Sequence, residues 1–199
     1  EGVSVNLSGA ASELERTWIA MQNNVMIAMF VIFLLLTVLM KSFVLPLVIM
    51  ITVPVAGAGG VLGLVFLNQF SAQPLDMLTM LGFIILAGIV VNNSILMVEQ
   101  TLWHIRHESM IISEAITEAT RNRIRPIFMS TLTSLFGLIP LVIFPGSGSE
   151  LYRGIGTVVF GGLATSAILT LLMVPPLLSL ALKTEKLKPV SQYKEDLFV

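Results

Sequence analysis

The 199-residue sequence contains no cysteine, which excludes a disulfide framework, a thiolate-ligated metal and a cysteine nucleophile. Charge is the second scarcity. Asp, Glu, Lys and Arg together make up 12% of the chain, about half the share found in soluble proteins. The sequence also has no initiator Met and no signal peptide with a basic leading segment. Apolar residues account for 55% of the chain, and the mean hydropathy is +0.92. This balance excludes a disordered chain, an ordinary soluble enzyme and a nucleic-acid binder with a basic face. The formal net charge of −1 conceals a very uneven distribution along the chain.

Five stretches carry no Asp, Glu, Lys or Arg: residues 17–40, 42–75, 77–98, 126–149 and 154–182. Each exceeds the roughly 20 residues that a helix needs to cross the hydrocarbon. The second is too short to cross twice, because its polar run over residues 68–74 reads as a loop. The expected fold is therefore an all-α membrane protein, with five transmembrane helices in an antiparallel bundle. The spans are expected at about 17–40, 46–67, 77–98, 126–145 and 155–182. Pro54, Pro140 and the Pro175-Pro176 pair are expected to interrupt them.

An odd number of spans puts the termini on opposite sides, and the Lys and Arg bias assigns the sides. One set of loops holds Lys41, Arg106, Arg121, Arg123, Arg125, Lys183, Lys186, Lys188 and Lys194; the other holds only Arg16 and Arg153. Nine against two predicts an external N-terminus and a cytoplasmic C-terminus. Residues 3–7 alternate like the end of a β-strand, and Ser12 with Glu15 resembles a helix N-cap and its capping box. A strand without a partner in its own chain suggests a piece of something larger. Residues 109–122 read as an amphipathic cytoplasmic helix ending in arginines, and residues 184–199 as a polar, frayed tail.

Within the spans, small residues mark expected contact faces. Gly59 and Gly63 form a Gly-xxx-Gly pair, and Gly161-Gly162 precede Thr165-Ser166 by four positions. Such spacing lets helix backbones approach closely. The unusual chemistry lies in polar groups at depth. Asn92 and Asn93 fall roughly 10 Å from the cytoplasmic end of the third span, taking Glu99 as its boundary. Ser130, with Thr131, Thr133 and Ser134 nearby, falls roughly as deep in the fourth span, counted from Arg123. Arg123 and Ser130 are seven apart and share a helix face. Such groups either face a bundle interior or water path, or serve as hydrogen-bonded glue between helices.

Other signals carry little. His104 and His107 have no evident third ligand, so a metal site is not expected. The eleven Met residues suit a lipid-compatible core better than copper ligation. The Asn92-Asn93-Ser94 sequon lies within the bilayer. There is no phosphate-binding Gly-x-x-x-x-Gly-Lys-Ser/Thr loop and no Ser/His/Asp arrangement, so an enzyme is not expected.

Four segments resemble a known family. Residues 88–99, Gly-Ile-Val-Val-Asn-Asn-Ser-Ile-Leu-Met-Val-Glu, resemble the tenth transmembrane helix of the resistance–nodulation–division (RND) efflux pumps. Residues 123–130 resemble the start of their eleventh helix, and residues 146–153 followed by Gly161-Gly162 the turn into the twelfth. Phe43-Val44-Leu45-Pro46 with Val53-Pro54 fits the junction of helices eight and nine. The resemblance implies the C-terminal transmembrane end of a longer, proton-driven secondary transporter of the bacterial inner membrane. It implies no cofactor beyond the proton gradient. It also implies a homotrimer that works with the rest of its own chain, a periplasmic adaptor and an outer-membrane channel. Residues 1–12 would then end a periplasmic porter region, and residues 13–183 would form the transmembrane bundle. By position it assigns Asn92, Asn93, Arg123 and Ser130 to a proton relay, with Asn92 standing where the best-known drug pumps carry a lysine. The absence of an acidic tenth-helix pattern points to the hydrophobe and amphiphile branch. The alternatives are an RND relative that exports metal ions, lipids or protein, and a small structural or regulatory membrane subunit.

Overall fold

The computed structural model describes residues 8–70, 73, 75–144, 146 and 150–184. Those residues form five helices: α1 (Ser8–Met40), α2 (Val44–Asn68), α3 (Met77–His107), α4 (Ile112–Ile143) and α5 (Glu150–Thr184). Each is long and apolar enough to cross a membrane, and no strand occurs among the described residues. The chain is a five-helix transmembrane bundle. The connections are short, so consecutive helices return as neighbours. Even α2, the shortest at 25 residues, reaches roughly 37 Å, more than the roughly 30 Å hydrocarbon core.

Local chemistry sets the helix ends. Lys41 closes α1 at φ 50, and Ser109 follows α3 at φ 53, the left-handed conformation that ends helices. The Ser42 hydroxyl accepts from the N–H groups of Val44 and Leu45 at 3.2 and 3.3 Å, covering two donors that open α2. Asp76 caps α3 by accepting from the Thr79 N–H at 2.7 Å.

Three expectations are corrected. Ser12 lies inside α1, which is already helical at Ser8; Ala10 and Ala11 are strong helix formers and carry it past the capping signal. Residues 112–122 are not a separate surface helix but the first turns of α4, which runs unbroken through Pro126. The prolines at 54, 140, 175 and 176 likewise lie inside continuous helices. Each proline removes one backbone donor, and a helix held by its other bonds and its neighbours survives that loss. The strand-like alternation over residues 3–7 and the tail over 185–199 lie outside the described residues.

Helix α5 is the hub. It packs against α2, α3 and α4, whereas α1 touches only α2 and α3. Half of the α5 span is buried against 11% of the α1 span. Two packed clusters fill the bundle. One joins Leu45, Ile49, Met97, Val98, Leu178 and Leu182; the other joins Ala56, Leu86, Val90, Val158 and Leu163. Lipid tails are as apolar as these side chains, so close packing and polar contacts, rather than escape from water, decide how the helices associate.

Candidate functional site

Backbones meet directly at the α2–α5 crossing. A Cβ built on Gly161 would lie 2.7 Å from the Gly59 carbonyl oxygen and 2.9 Å from the Gly63 Cα, so backbone meets backbone there. Gly162, one residue and about 100° further round α5, instead faces Leu86 of α3. The two neighbouring glycines thus serve different helices.

The polar groups of α3 sit on that scaffold in rotational order. Asn92 is exposed, Asn93 half-buried and Ser94 fully buried. Ser94 Oγ lies 3.1 Å from Thr52 Oγ1 of α2, itself buried. The carboxamides of Asn92 and Asn93 have no hydrogen-bond partner among the described residues. The bundle therefore buries Ser94, half-covers Asn93 and turns Asn92 outward.

Helix α4 divides into three sectors at 3.6 residues per turn. Ile127 and Thr131 are buried against the bundle. Phe128, Met129, Leu132 and Phe136 form an exposed apolar sector. Between them runs a stripe of Ser130, Thr133, Ser134 and Gly137, also exposed, and Arg123 falls on the same line. Ser130 donates to the Ile127 carbonyl at 3.1 Å and Thr133 to the Met129 carbonyl at 2.8 Å, so both hydroxyls are turned onto their own helix. Arg123 is half-buried, and its Nε is enclosed without a hydrogen-bond partner among the described residues. An added Cβ at Gly137 would meet nothing within 4 Å.

No hydrogen bond links Asn92, Asn93, Arg123 and Ser130 to one another among the described residues. What they share is an unfilled position. A polar stripe and two free amides on membrane-spanning helices are costly against lipid, and such groups normally face protein or a water-filled cavity. The pairing of Thr52 with Ser94 has no counterpart in the sequence pattern. A single hydroxyl in an apolar run has no signature until its partner, 42 residues away, is brought beside it.

At the end of α3, His104 is buried and its Nδ1 lies 2.7 Å from Glu108 Oε2, while Nε2 is enclosed without a partner. His107 turns to stack on Trp103, ring centroids 5.3 Å apart. The His104 ring also meets Trp103, edge-on at 5.3 Å. No cluster of three metal-ligating side chains forms among the described residues.

The model of the AcrB/AcrD/AcrF family matches residues 1–181. Multidrug resistance protein MdtC of Erwinia tasmaniensis is 37% identical over 170 residues, which is 85% of this chain and 16% of that protein. The protein of the same name from Erwinia amylovora is 36% identical over the same extent, and that from Escherichia coli 37%. The chain thus spans about a sixth of the length of these curated relatives.

Proposed function

The chain belongs to the AcrB/AcrD/AcrF family, and on that premise we propose that it is the distal transmembrane part of a proton-driven exporter of drugs or other amphiphiles. In this reading the Asn92, Asn93, Arg123 and Ser130 side chains form one wall of the proton path. The observation that carries the proposal is the unpartnered polar sector of α3 and α4. Two free amides, a hydroxyl stripe and an enclosed guanidinium nitrogen are positioned where the rest of a longer chain would cover them.

The predicted spans contain no Asp or Glu; Asp76 and Glu99 lie at span ends. A coupled exporter needs a group that titrates, so the wall described here requires acidic partners on another part of the protein. Neutral Asn92 cannot form a charged pair with them. It can donate two hydrogen bonds and accept others, so it would hold an acid through hydrogen bonding alone. Arg123 is the one permanent charge on the same face of α4 and the natural counter-charge near the path's cytoplasmic mouth.

The Lys and Arg distribution supports an N-terminus on the periplasmic side and a C-terminus in the cytoplasm of the inner membrane. The full assembly would be a homotrimer joined to an adaptor and an outer-membrane channel. The test is export by the full-length protein carrying Asn93→Leu or Ser130→Ala, with the membrane level of each variant measured alongside. The proposal expects both to lower export while the membrane level holds. Unchanged export in both would refute it. Lower stability with transport intact per molecule would favour a purely structural role for these groups.

A further inference from the structure

Between the two packed clusters lies one polar contact that the proton path does not use. Thr52 on α2 is 4% exposed and Ser94 on α3 is 0% exposed, and their hydroxyl oxygens lie 3.1 Å apart. Each also has a carbonyl of its own helix in reach: Ile49 O at 2.6 Å from Thr52 Oγ1, and Val90 O at 3.1 Å from Ser94 Oγ. Two hydroxyl protons thus serve three contacts. The shortest contact assigns the Thr52 proton to Ile49 O. The Ser94 proton then goes either across to Thr52 or back to Val90 O. One hydroxyl rotation makes or breaks the bond between the helices, and neither state leaves a buried proton without an acceptor.

The surroundings give that bond leverage. Ile49, Val90, Val91 and Met97 are buried nearby, so the bond is a directional contact that holds α3 against rotation on α2. Pro54 lies two residues beyond Thr52 inside α2 and withholds a donor from the Met50 carbonyl, which loosens the turn that presents Thr52. Ser94 directly follows Asn92 and Asn93. Each residue advances about 100° round the helix, so turning α3 by a fraction of that angle changes how far each amide faces outward.

We infer that Thr52 and Ser94 are a positioning pair: a breakable clamp between α2 and α3 that sets the rotation of α3, and with it the direction in which Asn92 and Asn93 meet the rest of the protein. The inference rests on the relay reading above and adds to it a rotational control seated outside the path. Neither residue is catalytic, since both act through the asparagines.

The test uses the full-length protein carrying Asn92→Cys with any other cysteines removed. Its rate of modification by a membrane-permeant maleimide reads the rotation of α3 without reference to transport. Thr52→Val and Ser94→Ala are each expected to change that rate about fivefold, the equilibrium shift made by losing one net hydrogen bond. Thr52→Ser, which keeps the hydroxyl, should leave it unchanged. In protein retaining Asn92 and Asn93, Thr52→Val should also displace the pH profile of export, and Thr52→Ser should restore it. Ser94→Ala serves as the second variant if Thr52→Val fails to accumulate. Unchanged labelling in both variants overturns the clamp. Altered labelling with an unmoved pH profile overturns its positioning role. Failure of the relay reading itself shows separately, as undiminished export in Asn93→Leu.

Discussion

Gly161→Ala is the sharpest perturbation the bundle offers, because the atoms it would strike are backbone. The new methyl would sit 2.7 Å from the Gly59 carbonyl oxygen, 2.9 Å from Gly63 Cα and 3.2 Å from Gly63 N. Ordinary contact begins near 3.4 Å, and no side-chain rotation can supply the difference. Helices α2 and α5 must part by about 0.7 Å, an opening that forfeits about a quarter to a half of each dispersion contact along the seam. Overpacking of this kind costs about 1–3 kcal/mol, and the better helix propensity of alanine returns up to about 1 kcal/mol. The net expectation is a loss of about 1–2 kcal/mol. Gly57 lies in α2, the helix that Gly161 meets, but an added Cβ there meets nothing within 4 Å. Gly57→Ala keeps the propensity gain without the clash, and should be neutral or more stable by up to about 1 kcal/mol. Equilibrium unfolding of the two variants in mixed detergent micelles, followed by circular dichroism, reads the difference. If Gly161→Ala proves as stable as Gly57→Ala, the α2–α5 seam does not hold the bundle together as described.

Four further outcomes are expected. Asp76→Ala removes the acceptor for the Thr79 N–H and should destabilise the chain by about 0.5–2 kcal/mol in the same unfolding assay, with Asp76→Ser recovering most of the loss. Arg153→Ala removes the Nε donor to the Val142 carbonyl at 2.9 Å, which ties the end of α4 to α5; a loss of about 1–2 kcal/mol is expected, with faster amide exchange in the last turn of α4. Glu108→Ala strips His104 Nδ1 of its carboxylate while Nε2 is already unpartnered. It should cost about 1 kcal/mol, whereas the double change with His104→Leu should cost less than Glu108→Ala alone. In the full-length protein, Arg123→Ala should lower export more than Arg123→Lys, which keeps a charge at that level of α4; equal losses would remove Arg123 from the path.

The five crossings were legible because the signal is simple: a stretch without charge longer than a bilayer is thick. The ends of the helices were less so. Ala10 and Ala11 carry α1 beyond Ser12, and α4 passes through Pro126 without a break, because a capping residue and a single proline each weigh about one hydrogen bond against a helix built from many. Gly59, Gly63, Gly161 and Gly162 stood out by spacing, but spacing alone left open which helix each would meet. Gly161 meets α2 and Gly162 meets α3, a division set by one helical step. Residue type, depth and resemblance point to Asn92, Asn93, Arg123 and Ser130. Their burial, with Asn92 and Ser130 exposed and Asn93 and Arg123 half-buried, emerges only from the assembled bundle. The Thr52–Ser94 pair had no sequence signature at all, since its meaning lies in the distance between two hydroxyls.

In the proposed exporter, protons pass along the polar sector of α3 and α4. The most direct test of this path is substrate-triggered proton movement in inside-out membrane vesicles, read with a pH-sensitive dye. The native full-length protein is compared with Asn93→Leu and Ser130→Ala at matched protein levels. Substrate should drive proton flux through the native protein, and the flux should fall at least about tenfold in Asn93→Leu, the loss expected when about 1.4 kcal/mol or more of path stabilisation is removed. Proton flux of native size in both variants would contradict this path.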